Sequence, residues 1–282
     1  MERKFAALIL THGRADNVVT YNTLRRCGYT GEIYIVIDDE DKDEPKYREK
    51  YGDHVKQFCK QHYIDTMDTM NPDDPRGVVV YARNASFDIA RELGLTHFVQ
   101  LDDDYKGFDW RYIEGPKLRG RKCTHLDEAF EAFMDFLDVS GAYTVAMAQA
   151  GDFIGGANGG TFKKQILRKA MNSFFCRVDR PFQFIGSINE DVNSYVTLGS
   201  RGHLFFTITK LSLVQGMTQQ NKGGMTETYL DCGTFLKSFS TVMLAPSCVR
   251  VKPMGSKYMR LHHEIKWDHA VPKIISSRYR KG

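Results

Sequence analysis

The chain has 282 residues, 42% of them hydrophobic and 26% charged, with a formal net charge of +4. This is the composition of an ordinary globular protein, long enough for one large or two small domains. No apolar run reaches the roughly 18 residues of a bilayer span, and Met1-Glu2-Arg3-Lys4 lacks the apolar core of a secretory leader, so a cytoplasmic protein is expected. The six cysteines, Cys27, Cys59, Cys123, Cys176, Cys232 and Cys248, include no C-x-x-C pair, which favours reduced, mostly buried thiols over disulfides or zinc. The charge is uneven: Lys117–Lys122 and Lys273–Lys281 are basic and Asp38–Glu44 is acidic. Each basic stretch reads equally as a site for polyanions or as solvated surface.

In chain order, Phe5–Thr11 is a buried strand followed by the loop His12-Gly13-Arg14. Asp16 suits the N-cap of a helix that runs to Cys27 and stops at Gly28. Glu32–Ile37 is a second strand, ending in Asp38-Asp39. A charged helix is expected from about Glu44 to Lys60, and Asn71–Pro75 is a loop. Val79–Leu93 reads as a helix capped by Gly94, and Thr96–Leu101 as a strand that runs straight into Asp102-Asp103-Asp104. Lys106–Ile113 suits an extended strand, with a basic loop starting at Gly115-Pro116. Leu126–Val139 carries Leu126, Phe130, Phe133 and Leu137 on one helical face. Tyr143–Ala148 is a strand, the loop Gly151–Gly160 contains five glycines, and Asn189–Leu198 reads as a helix. Gly202–Thr209 follows as a strand, Thr218–Thr226 as a polar loop, Glu227–Phe239 as a helix and Val242–Val251 as a last apolar stretch. Strands alternating with helices through short connections imply an α/β fold with a parallel sheet, and no repeat or linker divides the chain.

Three adjacent carboxylates at a strand end repel one another and add nothing to a core. They are either a solvated acidic loop or ligands for a hard divalent cation that neutralises them. Thr11 and Asp38-Asp39 end the first two strands, and strand ends of a parallel sheet converge on one ligand-binding edge. Carboxylates there can accept hydrogen bonds from a ribose diol or a pyrimidine N–H, with Arg14 or Arg83 opposite the phosphates. No G-x-G-x-x-G follows the first strand and no G-x-x-x-x-G-K-[ST] occurs, so the dinucleotide and P-loop readings lack support.

Taken together, Thr11-His12-Gly13-Arg14, Asp38-Asp39, Ala82-Arg83-Asn84-Ala85 and Leu101-Asp102-Asp103-Asp104 resemble the nucleotide-sugar half of family 2-type GT-A glycosyltransferases. The match covers about residues 5 to 110. It implies a GT-A fold, a Rossmann-like mixed sheet with flanking helices, in a single domain over residues 1–282. Residues 1–110 would then bind the donor, and 111–282 the acceptor and the catalytic base. By this resemblance Thr11, His12, Arg14, Asp38, Asp39, Arg83, Asn84, Asp102 and Asp103 hold the nucleotide-sugar. Gly156, Asn158 and Gly159 belong to a loop similar to the donor-sugar loop, where missing side chains admit a sugar; its other reading is a flexible turn. Asn189-Glu190-Asp191 resembles the pair that supplies the base in inverting members, with Asp191 ahead of Glu190, although a carboxylate at a helix start also serves as a cap. The metal, Mn2+ or Mg2+, would sit on Asp102 and Asp104, with Asp102 shared with the ribose and a third ligand from His262 or His263, His262 being favoured. Asp103 points the other way by strand alternation.

Within this fold, Thr218–Thr226 and Cys248–Val251 are similar to the TET-associated glycosyltransferases of bacteriophages. That resemblance implies transfer of a hexose from a UDP-sugar to a hydroxymethylated pyrimidine in DNA, with inversion, in the host cytoplasm if the chain is phage-encoded. The basic stretches agree with a phosphate-backbone acceptor. Rival readings are transfer to a polysaccharide or protein hydroxyl, nucleotidyl transfer, and a non-catalytic nucleic-acid-binding module.

Overall fold

A computed structural model describes residues 2–67, 78–215, 225–254 and 260–272. The expected loop at Asn71–Pro75, most of the run Thr218–Thr226 and the basic tail Lys273–Lys281 lie outside the described residues. The first strand, β1 (Phe5–Leu10), is buried from Ala6 onward, as a continuous apolar run must be when both faces of its sheet are covered. Helix α1 (Val19–Arg26) starts at Val18 rather than at Asp16, whose carboxylate pairs instead with Lys50. Gly28 turns the chain at φ +88°, and a Cβ there would lie 2.3 Å from the Thr124 carbonyl oxygen, so only glycine fits the exit from α1. β2 (Glu32–Asp38) follows.

The single charged helix expected at Glu44–Lys60 is not formed. The chain makes α2 (Glu44–Tyr51), a 3₁₀ turn at Gly52–His54, β3 (Val55–Phe58) and then α3 (Lys60–Thr66). Gly52 takes φ +53° and ψ −129°, which ends the helix, and Val55 and Phe58 are buried at the sheet margin. α4 (Val80–Glu92) and β4 (His97–Asp102) match their expected spans to within a residue or so. The expected basic loop after Gly115-Pro116 is a strand: β5 (Gly107–Glu114) and β6 (Lys117–Lys122) pair antiparallel across that turn.

α5 (Leu126–Ser140) and β7 (Thr144–Ala148) come next, followed by 3₁₀ turns at Ala150–Phe153 and Gly156–Asn158. The short α6 (Gly160–Lys163), β8 (Ile166–Leu167) and β9 (Ser173–Arg177) lead to α7 (Glu190–Ser200). β10 (Phe205–Val214) starts and ends later than its expected span, and α8 (Met225–Leu244) is longer than expected. The apolar stretch Val242–Val251 therefore divides between α8 and β11 (Val249–Met254), which pairs with β12 (Arg260–Ile265) in a separate ribbon.

The main sheet has the order β3-β2-β1-β4-β9-β7-β10-β5-β6, with β8 on β10. β1, β2, β3 and β4 run parallel, and β9 and β5 enter antiparallel. This is the Rossmann-like mixed sheet with flanking helices that the sequence implied. One face buries Leu24 of α1, Tyr47 of α2 and Phe130, Phe133 and Leu137 of α5. The other buries Phe87 of α4 and Val192, Tyr195 and Val196 of α7. A large apolar side chain so enclosed contributes about 1.5–3 kcal/mol, and Phe130 also meets Phe175 edge-on at 5.0 Å. Because β1 lies between β2 and β4, the order reverses at β1, and a crevice opens at the carboxyl ends of β1 and β4. Cys27, Cys123, Cys176 and Cys248 are buried free thiols. Among the described residues no helix is long and apolar enough to cross a membrane.

Candidate active site

A cavity of about 1080 Å³ opens at that crevice. Its nucleotide-side wall is built from the ends of β1, β2 and β4. The Thr11 hydroxyl donates to Asp103 at 2.6 Å, and Arg14 Nη1 donates to the other oxygen of the same carboxylate at 3.0 Å. The Tyr47 hydroxyl accepts the Arg14 amide at 2.9 Å and meets Thr11 Oγ1 at 3.0 Å, pinning the loop after β1. Asp103 thus faces the cavity, contrary to the alternation argument. β4 ends at Asp102 and the chain turns, so strand alternation does not extend to Asp103. Burial raises the pKa of Asp103, against the pull of Thr11 and Arg14.

Asp38 is committed on both oxygens, to His12 Nδ1 at 2.7 Å and to the buried Lys60 Nζ at 2.8 Å. Its hydrogen bond raises the pKa of His12, which lines the cavity half-exposed. Lys60 was not legible in the sequence, because nothing local distinguishes it from a surface lysine. Only the break at Gly52 and the return of β3 bring it under Asp38.

Arg83 joins the two ends of the site. Its side chain is 3% exposed, Nη2 donates to Asp102 at 3.0 Å, and Nε donates to Glu190 at 3.0 Å. The guanidinium lies over the Phe174 ring at 4.8 Å, and the buried Nη1 has no hydrogen-bond partner among the described residues. α7 presents Glu190 and Asp191 at its first turn. Asn189 ahead of them takes φ +56°, and its side chain donates to the Lys237 carbonyl at 2.6 Å, which ties the helix start to α8. Burial, then the neighbouring Glu190, pushes the Asp191 carboxyl up to about 7. A buried carboxyl held near neutrality is suited to general-base work.

Asp104 has a side chain with no hydrogen-bond or ion-pair partner on any other described residue. Burial first, then Asp102 and Asp103, push its pKa up to about 6. His262 and His263 line the same cavity with rings stacked at 4.4 Å. Burial and then His262 hold His263 near 4, so it is neutral, and its buried Nδ1 has no hydrogen-bond partner among the described residues. Among the described residues no three His, Cys, Asp or Glu side chains form a ready-made metal cage. The donor set nevertheless fits a divalent cation. Asp102 and Asp103 are paired with Arg83 and Arg14 while Asp104 has no ion pair among the described residues, and such ions commonly take one or two protein carboxylates and complete their shell from substrate phosphates and water. Asp102 and Asp104 are the residues that would hold it. Of the two histidines, His263 has the orphaned ring nitrogen. Lys169, Lys237 and Lys252 also line the cavity, so cations surround a space otherwise edged with carboxylates.

Five expected site residues stand apart from the cavity wall. Asp39 accepts the Lys60 backbone N–H at 2.9 Å and holds the start of α3. Asn84 clamps a distant loop, its Oδ1 accepting the Phe184 amide at 2.8 Å and its Nδ2 donating to the Phe184 carbonyl at 3.0 Å. Gly156, Asn158 and Gly159 form a turn that packs on itself. A Cβ at Gly159 would lie 2.5 Å from the Ile154 carbonyl oxygen, so the glycine serves the loop's own fold. The cavity side of that loop is Gln149, Gly151, Asp152 and Ile154. Asn84→Ala leaves two buried backbone groups unpaired, a loss of about 2–3 kcal/mol. Thermal unfolding should show a melting temperature lower by roughly 3–5 °C, and an unchanged melt would contradict the clamp.

Residues 5–224 match the family described as TET-associated glycosyltransferase. The chain belongs to that family. Its activity is therefore glycosyl transfer, which sets aside nucleotidyl transfer and a purely binding role. The chain is similar to glucosyl-3-phosphoglycerate synthase from Mycobacterium tuberculosis solved with Mn2+, UDP and phosphoglyceric acid, at 9% identity, 93% coverage of this chain and 87% of that one, with a TM-score of 0.44. The same enzyme with Mn2+, UDP-glucose and phosphoglyceric acid aligns at 9% identity over 89% and 84%, with a TM-score of 0.46. A comparison with curated proteins gives no match.

Proposed function

We propose that this glycosyltransferase moves a hexose from a UDP-sugar to the hydroxymethyl group of 5-hydroxymethylcytosine in DNA, by a single inverting displacement. The observation that carries the reading is Arg83, paired at once with Asp102 and Glu190 inside one cavity. It brings the carboxylates suited to a diphosphate-bound cation next to a carboxyl suited to deprotonating an acceptor. In this reading one catalytic domain is shared between two halves: residues 1–110 seat the donor and residues 111–282 supply the base and the acceptor surface.

Thr11, His12, Arg14, Asp38 and Asp103 shape the nucleotide end, with Lys60 paired to Asp38 there, and Lys169 and Lys252 stand elsewhere on the cavity wall, paired to Asp152 and Glu264. Asp102 and Asp104 would hold Mn2+ or Mg2+, with His262 and His263 elsewhere on the wall of the same cavity; when bound, the ion would neutralise the charge that builds on the departing UDP. Asp191 takes the proton of the acceptor hydroxyl as its oxygen bonds to the sugar C1. The C1–O bond to UDP breaks on the opposite face, and the electron pair leaves with UDP. Arg83 engages Glu190 through its Nε at 3.0 Å, which leaves Asp191 as the base in this reading.

The β5–β6 ribbon supports a nucleic-acid acceptor. On one face the partly buried Trp110 stands opposite Arg121, and Tyr112 opposite Arg119, while Lys117 and Lys122 stand opposite Glu114 and Asp109. Aromatics interleaved with cations suit phosphates and exposed bases. The variant combining Lys117→Ala, Arg121→Ala and Lys122→Ala should bind DNA more weakly and lower the slope of log affinity against log salt by about 2–3, with donor affinity unchanged. An unaltered slope would remove the ribbon from the interface. The function itself is tested by UDP release with UDP-glucose, Mn2+ and DNA. Release should rise with 5-hydroxymethylcytosine over cytosine in the same sequence, and equal release would contradict the acceptor.

A further inference from the structure

We propose that Gln149, Asn172 and Gln215 form a neutral amide subsite that reads the hydroxyl groups of the donor hexose. The proposal rests on a UDP-sugar being the donor. The three side chains line the same cavity as the carboxylates and come from neighbouring strands of the main sheet. β4 pairs with β9 through Leu101 and Ser173, so Asn172, the residue before Ser173, lies beside Asp102 on the sheet edge. β7 ends at Ala148, which pairs with Ser212 of β10, and Gln149 and Gln215 continue those two strands. Along this edge the chemistry changes from carboxylates suited to a metal-diphosphate to uncharged amides, one strand farther on.

The trio is organised around Asn172. Its Nδ2 donates to Gln149 Oε1 at 2.7 Å and to Gln215 Oε1 at 3.1 Å. Both glutamine carbonyls are thereby occupied. Among the described residues no protein partner takes the two glutamine NH₂ groups or Asn172 Oδ1, which leaves donors and an acceptor for a ligand. Asn172 sits at φ +62°, a region that non-glycine residues enter rarely and that gathers at functional sites. The hydroxyl of the fully buried Tyr105 donates to the Asn172 carbonyl and holds it there. Gln149 is fixed as well, its backbone N–H donating to Asp152 at 3.0 Å while Asp152 pairs with Lys169.

A hexose presents neutral hydroxyls that each donate and accept. Amides match both roles without the desolvation cost of a charge, whereas a phosphate would call for cations. A sheet-edge position next to Asp102 places the trio one step beyond the diphosphate, where the sugar of a nucleotide-sugar extends.

Calorimetry with Mn2+, using UDP and a panel of UDP-glucose, UDP-galactose and UDP-N-acetylglucosamine, tests the assignment on wild type, Gln149→Leu, Gln215→Leu and Asn172→Gly. Glycine keeps the positive φ while deleting the amide. Affinity for the best UDP-sugar should fall about tenfold in each variant, the equivalent of one hydrogen bond, with UDP affinity unchanged. UDP and UDP-sugar weakening in parallel would overturn the proposal. So would unchanged UDP-sugar affinity combined with a raised KM for the DNA acceptor, which would assign the trio to the base. If wild type binds UDP but gains nothing from the sugar, the subsite is refuted while the nucleotide site stands. If it binds neither, the donor reading falls and takes the subsite with it.

Discussion

Asp191→Asn should lower kcat by roughly 10²–10⁴-fold, the range expected for loss of a general base, while the Kd for the nucleotide-sugar stays at the wild-type value. Asparagine keeps the shape of the side chain at the first turn of α7 but cannot accept the acceptor's proton. The same carboxyl sets the pH dependence. Burial and Glu190 push it up to about 7, so below that pH it is protonated and inactive as a base. Turnover should rise about tenfold per pH unit up to near 7 and then level off. The sign for stability is the opposite. The folded pKa lies above the unfolded value, so the unfolded state releases its proton first, and the group's contribution to stability declines from about pH 4 to 7. A variant with near wild-type kcat, or one that loses donor affinity in step with kcat, would remove Asp191 from the role of base.

Asp104→Asn should separate stability from binding even more sharply. In the metal-free protein Asp104 is a half-buried carboxylate facing Asp102 and Asp103, with its pKa pushed up to about 6. Removing that charge relieves its burial and then its repulsion from Asp102 and Asp103, about 1 kcal/mol once solvent screening is discounted, so the melting temperature should rise by roughly 2 °C. The same substitution should weaken metal-dependent UDP-sugar binding by about 100-fold or more, and a chelator should reduce wild type to the same level. A variant that melts lower and still binds donor in a metal-dependent manner would show that Asp104 stabilises the fold rather than serving the donor.

How much the sequence reveals depends on how local each signal is. β1 and β4 are runs of apolar residues that only a covered sheet can use, and Asp102-Asp103-Asp104 at such a strand end has no role in a core. The ends of β1, β2 and β4 could therefore be brought to one edge by topology alone. Arg83 was legible as a cation for the site. Its bridge between Asp102 and Glu190 was not, because it depends on α4 and α7 meeting across the sheet. Asn84, its neighbour in the same motif, faces away from the cavity and serves the Phe184 loop. One helical turn carries both a site residue and a structural clamp, which a motif match cannot distinguish.

The misreadings have the same origin. Gly52 interrupts a charged stretch whose composition favours helix, and only the burial of Val55 and Phe58 makes a strand, β3, of the residues beyond it. Lys117–Lys122 is polar enough to read as a loop, yet it is held as a strand by pairing with β5. The glycine-rich loop meets the cavity through Gln149 and Asp152, ahead of Gly155–Gly160 that drew attention to it. Gln149, Asn172 and Gln215 lie far apart in the chain and carry no motif. They converge only because β7, β9 and β10 are neighbours.

The most direct measurement is mass spectrometry of nucleosides after the protein has acted on duplex DNA containing 5-hydroxymethylcytosine, with Mn2+ and a panel of UDP-hexoses. The 5-hydroxymethyldeoxycytidine nucleoside should become heavier by one hexosyl unit, deoxycytidine should not change, and Asp191→Asn should abolish the gain. An unmodified 5-hydroxymethyl nucleoside, under conditions in which the protein binds UDP-sugar and DNA, would contradict DNA as the acceptor.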